Sequence, residues 1–217
     1  SVISVPLTIF WIVGFVNTMN LIDGLDGLAA GISAIASVAI FLVAFQMGQW
    51  TCAAAMVAMA GAALAFLQYN FNPAKIFHGR YGFHAVRVYY CFRIYYGSYE
   101  IGSHSGFLLL PRVGIGVPIM DTALAIVRRR LSGVPVFAPD KCHLHHRLLA
   151  LGLTQKQVVL IMYAITAFFS CVALLVIRMN IVLGIVILAA VFAAFLLWAK
   201  KLGVMTESMT PISKKNR

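Results

Sequence analysis

Asn17, Asn20, Asp23 and Asp26 recur at a spacing of three where the first apolar run ends, inside the stretch Asn17-Thr18-Met19-Asn20-Leu21-Ile22-Asp23-Gly24-Leu25-Asp26-Gly27-Leu28. Asp23 and Asp26 are two of only six acidic residues in the chain. Carboxylates are costly at a membrane boundary, so their presence asks for a reason. A turn between two helices accounts for one Asp-Gly pair. It does not account for two such pairs preceded by two Asn. Four oxygen-bearing side chains at one mouth suit a hard cation or a phosphate.

A second polar cluster is Pro139-Asp140-Lys141-Cys142-His143-Leu144-His145-His146-Arg147, where half of the six His fall within four positions. Zinc is a poor fit, because no Cys pair or His-Glu-x-x-His accompanies the run. A solvated basic loop is the plainer reading. Imidazoles with a guanidinium beside a membrane suit a diphosphate better. The neighbouring Arg128-Arg129-Arg130 reads first as a topology anchor. A third cluster, Gln68-Tyr69-Asn70-Phe71-Asn72-Pro73-Ala74-Lys75-Ile76-Phe77, contains an Asn-Pro turn. Its Lys75 serves either a phosphate or the lipid headgroups, and composition alone favours the headgroups. In the fourth, Gly116-Val117-Pro118-Ile119-Met120-Asp121-Thr122, Asp121 is an acid inside an apolar run. Such an acid faces a polar interior, as a helix-packing hydrogen bond or as a support near the site.

The elements that must position these groups are membrane helices. The chain has 217 residues, of which 62% are hydrophobic and 11% charged, with a mean hydropathy of +0.92. A soluble domain carries about 25% charged residues. A polytopic, all-α membrane protein of one domain follows. Apolar runs of spanning length, about 20 residues, fall at Val5–Leu21, Leu28–Phe45, Cys52–Tyr69, Phe107–Val127, Val158–Ile177 and Ile181–Ala199. A poorer run lies within Val86–Ser103, which gives about seven spans. The formal charge of +11 reads as a positive-inside signal. Basic and aromatic residues do not interleave as in nucleic-acid binders, so nucleic acid is set aside. The four Cys form no Cys-x-x-Cys pair, which argues against a zinc site or a disulfide framework. Lys75, Arg80 and Arg87, the basic residues of 128–156, and the tail lysines mark cytoplasmic segments. Alternating spans then bring Asp23 and Asp26, the Asn70 loop, the His loop and the C-terminal tail to the cytoplasmic side, provided 86–103 crosses. A secondary transporter would instead bury its ionisable residues near the midplane. The first residue is Ser1 and no signal-peptide n-region precedes the first span, so the chain reads as an N-terminally truncated fragment.

The ordered set NxxNxxDGxDGL, YNFNPAKIF, GVPIxDT and PDKxHLHHRLL resembles the polyprenyl-phosphate N-acetylhexosamine-1-phosphate transferases, glycosyltransferase family 4. Within that family the motifs are most similar to the bacterial undecaprenyl-phosphate N-acetylglucosamine-1-phosphate transferases. The resemblance covers nearly the whole chain except roughly His78–Gly106. It implies a phosphoglycosyl transferase of the bacterial plasma membrane, multi-pass, with cytoplasmic active-site loops. The implied partners are UDP-N-acetylglucosamine, undecaprenyl phosphate and the lipid bilayer, in the first membrane step of teichoic acid or related envelope polymers. A homodimer is allowed but not demanded. The implied cofactor is magnesium, with manganese as a substitute. By motif, Asp23 and Asp26 act in catalysis and metal binding. His143, His145 and His146 hold the diphosphate or sugar. Asn17, Asn20, Asn72, Lys75 and Arg147 bind substrate. The muramoyl-pentapeptide transferases are the alternative within the family, and a non-catalytic membrane remnant is the alternative outside it.

Two departures bear on activity. The family carries an Asp-Asp dyad in an earlier cytoplasmic loop, before the point where this chain begins. After NPAKIF it also reads Met-Gly-Asp-Thr-Gly-Ser-Met, whose Asp is a magnesium ligand. Here the chain reads His78-Gly79-Arg80-Tyr81-Gly82-Phe83-His84, which puts Arg80 near the metal-binding Asp. A cation there repels magnesium. The genetic code offers a cause. Dropping the first base of His-Gly-Arg-Tyr-Gly-Phe-His-Ala permits ATG GGC GAT ACG GGT TCC ATG, the family motif itself. The shifted codons that follow permit an apolar helix start, whereas the segment as it stands is a poor span. Residues 78–106 therefore read as a compensated frameshift that begins at Phe77/His78 and ends between Ser103 and Arg112. The chain as written is expected to be inactive.

Overall fold

The computed structural model describes residues 4–76, 121–122, 125–126, 129–130, 143–176 and 179–201. All regular structure among them is helical: α1 (Ser4–Ile22), α2 (Leu28–Gln46), α3 (Trp50–Asn70), α4 (Leu144–Ala150), α5 (Gln155–Val176) and α6 (Ile181–Lys201). Asp121, Thr122, Ala125, Ile126, Arg129 and Arg130 are also helical. Five of the expected apolar runs coincide with α1, α2, α3, α5 and α6, with ends shifted by three residues at most. α2, α3, α5 and Val182–Lys201 of α6 are each long and apolar enough to cross a bilayer. The weak run at 86–103 lies outside the described residues, as do most of the fifth run and the segment read as frameshifted.

The helices end where the sequence supplies a reason. Gly48 adopts a left-handed φ of 71° after α2. Met47 N donates to Val43 O and Gln49 N to Ala44 O, so freed carbonyls of α2 are satisfied as the chain reverses into α3. Before α5, Thr154 and Gln157 form a reciprocal cap: Thr154 N donates to Gln157 Oε1 at 2.9 Å, and Gln157 N to Thr154 Oγ1 at 3.4 Å. That cap starts α5 at Gln155 and presents the Gln155 side chain at the end of the bundle that holds the polar clusters.

α2 is the central helix. It packs along α3 and along α5 and meets the end of α1. Its contact face is small: Ala29, Ala30, Gly31, Ser33, Ala34, Ala36 and Ser37 are all buried. Small residues let helix backbones approach closely where lipid removes the hydrophobic drive for association. Between these helices lie Met19 and Ile22 of α1, Leu28 and Ile32 of α2, Met56 of α3, and Val158, Val159 and Met162 of α5. α6 joins through Phe195, which meets Phe169 edge-on at a centroid distance of 5.5 Å. The rest of α6 turns Val182, Ile185, Val186, Phe192 and Leu197 outward. An apolar exposed face of that kind suits lipid.

Candidate active site

The polar stretch between α1 and α2 is a tight turn that must place Asp23 and Asp26. Gly27 closes it with φ at 77°, a conformation that suits a residue without Cβ. The turn is held from both sides. Gly27 N donates to Asn70 Oδ1 at 3.0 Å, and Tyr163 of α5 donates its hydroxyl to Gly27 O at 2.6 Å. The Tyr163 ring reaches the turn by lying over Gly31, where any Cβ would collide with it. One glycine therefore supplies the backbone angle, and another supplies room for the side chain that fixes it.

The chain after α3 folds back onto the same turn. Asn70, buried as the last residue of α3, donates Nδ2 to Ile76 O at 2.8 Å and closes the loop 71–76 on itself. Within that loop Asn72 spends both amide hydrogens between helices: one on Asp26 Oδ2 at 3.1 Å and one on Gln155 Oε1 at 2.9 Å. Ala74 N also donates to Asp26 Oδ2, at 3.3 Å. Lys75 is exposed and follows Ala74 directly. The three loops are thus tied through the Asp26 carboxylate and the Asn72 amide. Asp23, three residues earlier, is exposed.

The His cluster arrives on α4. His145 is 1% exposed, and its Nε2 lies 3.2 Å from the place a Cβ would take on Gly24, between Asp23 and Asp26. The His143 and His145 rings stand parallel, 2° apart, with centroids 5.9 Å apart. His146 is half-buried, its ring 4.2 Å from that of His145. Arg147 is half-buried on the next position of α4. Burial pushes the His145 imidazole down to about 4, and the charge of His146 adds to the effect. His145 is therefore neutral at physiological pH. His143 Nδ1 lies 3.0 Å from Asp121 Oδ2, and Leu144 N donates to Asp121 Oδ1 at 2.9 Å.

Of the residues picked out by sequence, Asp26, Asn72, Lys75 and the three His come together with Asp23 around this one turn. Asn17 and Asn20 are exposed on the last turns of α1. Arg80 lies outside the described residues. Asn70, Gln155 and Tyr163 also build the site, and spacing alone did not mark their roles. The Thr154-to-Gln157 cap could have marked Gln155 as the start of a helix. Among the described residues no three His, Cys, Asp or Glu side chains converge as a metal cluster. The donor set still fits magnesium, a hard ion that takes one or two carboxylates and leaves its other positions to water and phosphate oxygens. Asp23 offers an exposed carboxylate. The clamp on Asp26 uses Oδ2 alone and takes no part of Oδ1.

Residues 1–92 match the profile of glycosyl transferase family 4. The chain is 39% identical over 214 residues to the probable undecaprenyl-phosphate N-acetylglucosaminyl 1-phosphate transferase of Bacillus subtilis strain 168, covering 96% of this chain and 58% of that protein. It is 40% identical over 181 residues to the decaprenyl-phosphate N-acetylglucosaminephosphotransferase of Mycobacterium tuberculosis strain CDC 1551 / Oshkosh, covering 74% of this chain and 44% of the relative. It is 33% identical over 199 residues to the phospho-N-acetylmuramoyl-pentapeptide-transferase of Moorella thermoacetica, covering 80% and 57%. The chain thus spans about half the length of these relatives.

Proposed function

This chain belongs to glycosyl transferase family 4, and from that premise we propose that its whole protein transfers N-acetylglucosamine-1-phosphate from UDP-N-acetylglucosamine to undecaprenyl phosphate. The products are undecaprenyl-diphospho-N-acetylglucosamine and UMP. The observation that carries the reading is the meeting of Asp26, Asn72 and His145 on one turn. Carboxylates suited to a cation and imidazoles suited to a diphosphate are then brought to one turn. The positive-inside charge pattern supports a cytoplasmic placement of that turn, where nucleotide sugar is found.

In this reaction an oxygen of the lipid phosphate attacks the β-phosphorus of the nucleotide sugar. The bond from that phosphorus to the oxygen bridging the α- and β-phosphates breaks, and UMP leaves with the electron pair. Both reactants are anionic, so positioning and charge compensation dominate the barrier. Asp23 and Asp26 would hold magnesium, which when bound offsets the charge of the diphosphate. The Asn72 clamp keeps the Asp26 carboxylate from rotating away. His145, being neutral, offers hydrogen bonds without adding charge. Arg147 carries a guanidinium suited to phosphate oxygens. Lys75 follows the residue whose N–H holds Asp26 and extends from the same rim.

Transfer of radiolabel from UDP-N-acetylglucosamine into an organic-extractable lipid, with magnesium required and UMP released in equal amount, tests this reading. Competition by UDP-N-acetylmuramoyl-pentapeptide is run beside it, since the Moorella thermoacetica relative favours that donor as the second reading. Label entering lipid only from the pentapeptide donor would select the second. No lipid-linked product from either donor, in the whole protein with Met-Gly-Asp-Thr-Gly-Ser-Met in place of residues 78–84, would sink both.

A further inference from the structure

Asp121 stands in an apolar run, is 4% exposed, and divides its two oxygens between two jobs. Oδ1 accepts from Leu144 N, the first amide of α4, and Oδ2 meets His143 Nδ1. His143 Nε2 is buried and has no hydrogen-bond partner among the described residues. His143 itself is 4% exposed. A carboxylate only accepts, so the ring nitrogen facing it must carry the hydrogen. We propose that Asp121 is a positioning residue that locks the proton of His143 on Nδ1, leaving Nε2 as the nitrogen that exchanges a proton or hydrogen bond with substrate. The lock holds in both charge states of the ring. When His143 is neutral, Nε2 is a bare acceptor. When His143 is protonated, Nε2 is the donor toward the site. The same carboxylate anchors the start of α4 and so places His145 against Gly24. Two rings that stand 2° from parallel are held by one acid from another helix.

The geometry supplies a clean perturbation. In Asp121→Asn the amide cannot choose its orientation freely. Leu144 N only donates, so the amide oxygen must stay on it and the NH2 must face His143 Nδ1. That arrangement forces Nδ1 to accept and moves the proton to Nε2, while shape, packing and the cap of α4 remain. A purely structural Asp121 would be replaced by Asn without consequence.

The test is nitrogen NMR on the full chain, labelled with 15N-histidine, in lipid at about pH 8, where an ordinary imidazole is neutral. His143 is assigned by the signal lost in His143→Gln. The expected wild-type spectrum shows protonated Nδ1 and bare Nε2, and D121N shows the reverse. A wild-type His143 with its proton on Nε2 overturns the proposal, and that result stands even if D121N fails to fold. So does a folded D121N that keeps the wild-type tautomer. The kinetic arm rests on the transferase reading. There, in the whole protein with Met-Gly-Asp-Thr-Gly-Ser-Met at 78–84, D121N lowers kcat by about 10-fold or more with KM for UDP-N-acetylglucosamine within about threefold, the signature of a lost transition-state interaction. A reversed tautomer with unchanged kcat overturns the role of Nε2 in turnover. The expected tautomers in a whole protein that carries Met-Gly-Asp-Thr-Gly-Ser-Met at 78–84 and still transfers nothing from UDP-N-acetylglucosamine refute the transferase reading and leave the Asp121 lock standing.

Discussion

Gly31→Ala tests whether Tyr163 really pins the turn that carries Asp26. A Cβ at Gly31 would overlap the ring and hydroxyl of Tyr163. α2 is packed on both α3 and α5, so the backbone has little room to retreat and the ring must move. Overpacking of this kind costs about 1–3 kcal/mol. Displacing the ring also removes the 2.6 Å hydrogen bond to Gly27 O. Gly27 O keeps the hydrogen bond from Gly31 N at 2.9 Å, so this loss is the net worth of one hydrogen bond, about 0.5–1.5 kcal/mol. A combined loss of about 3 kcal/mol lowers the melting temperature by roughly 6–12 °C for a chain of this length, at about 2–4 °C per kcal/mol. Thermal unfolding in detergent, followed by intrinsic fluorescence, measures it. Tyr163→Phe keeps the ring and loses only the hydroxyl, so it is expected to cost about 1 kcal/mol. Tyr163→Ala opens space for the new methyl, so the Gly31→Ala/Tyr163→Ala pair is expected to fall short of the sum of its single changes by about 1–2 kcal/mol. A Gly31→Ala protein that melts within about 1 °C of wild type, or a strictly additive pair, refutes the reasoning.

Two further predictions concern charge. His145 titrates near 4 when folded, against about 6.5 in the unfolded chain. Between those values the unfolded state takes up a proton that the buried ring refuses. The contribution of His145 to stability is therefore complete above about pH 6.5 and is lost as pH falls, by about 3 kcal/mol near pH 4. Comparison with His145→Gln isolates the effect, and parallel pH–stability curves for the two proteins would disprove it. The second concerns residues 78–84, which lie outside the described structure. Replacing them with Met-Gly-Asp-Thr-Gly-Ser-Met in the whole protein is expected to raise magnesium-dependent lipid labelling at least about 10-fold, because a ligand carboxylate replaces Arg80. Clean in-frame reads of His78-Gly79-Arg80 in an active gene would remove the frameshift.

Much of the framework is legible in order of sequence, because a bilayer imposes local rules. A helix that satisfies its own backbone in lipid needs a long apolar run, and the runs that became α1, α2, α3, α5 and α6 announce themselves by hydropathy. The ordered motifs likewise mark Asp23, Asp26, Asn72 and the His run as belonging to one family's chemistry. What hydropathy does not carry is who meets whom. Asn72 finds Asp26 across 46 positions and Gln155 across 83, and Tyr163 reaches Gly27 across 136. Those pairings depend on the rotation and register of α2 against α3 and α5, which small-residue packing sets and periodicity does not display. Asp121 shows the division most plainly. Sequence marked it as a costly acid in an apolar run. Only the packed bundle shows it capping α4 with one oxygen and turning His143 with the other, because a buried carboxylate must find its donors wherever the fold brings them.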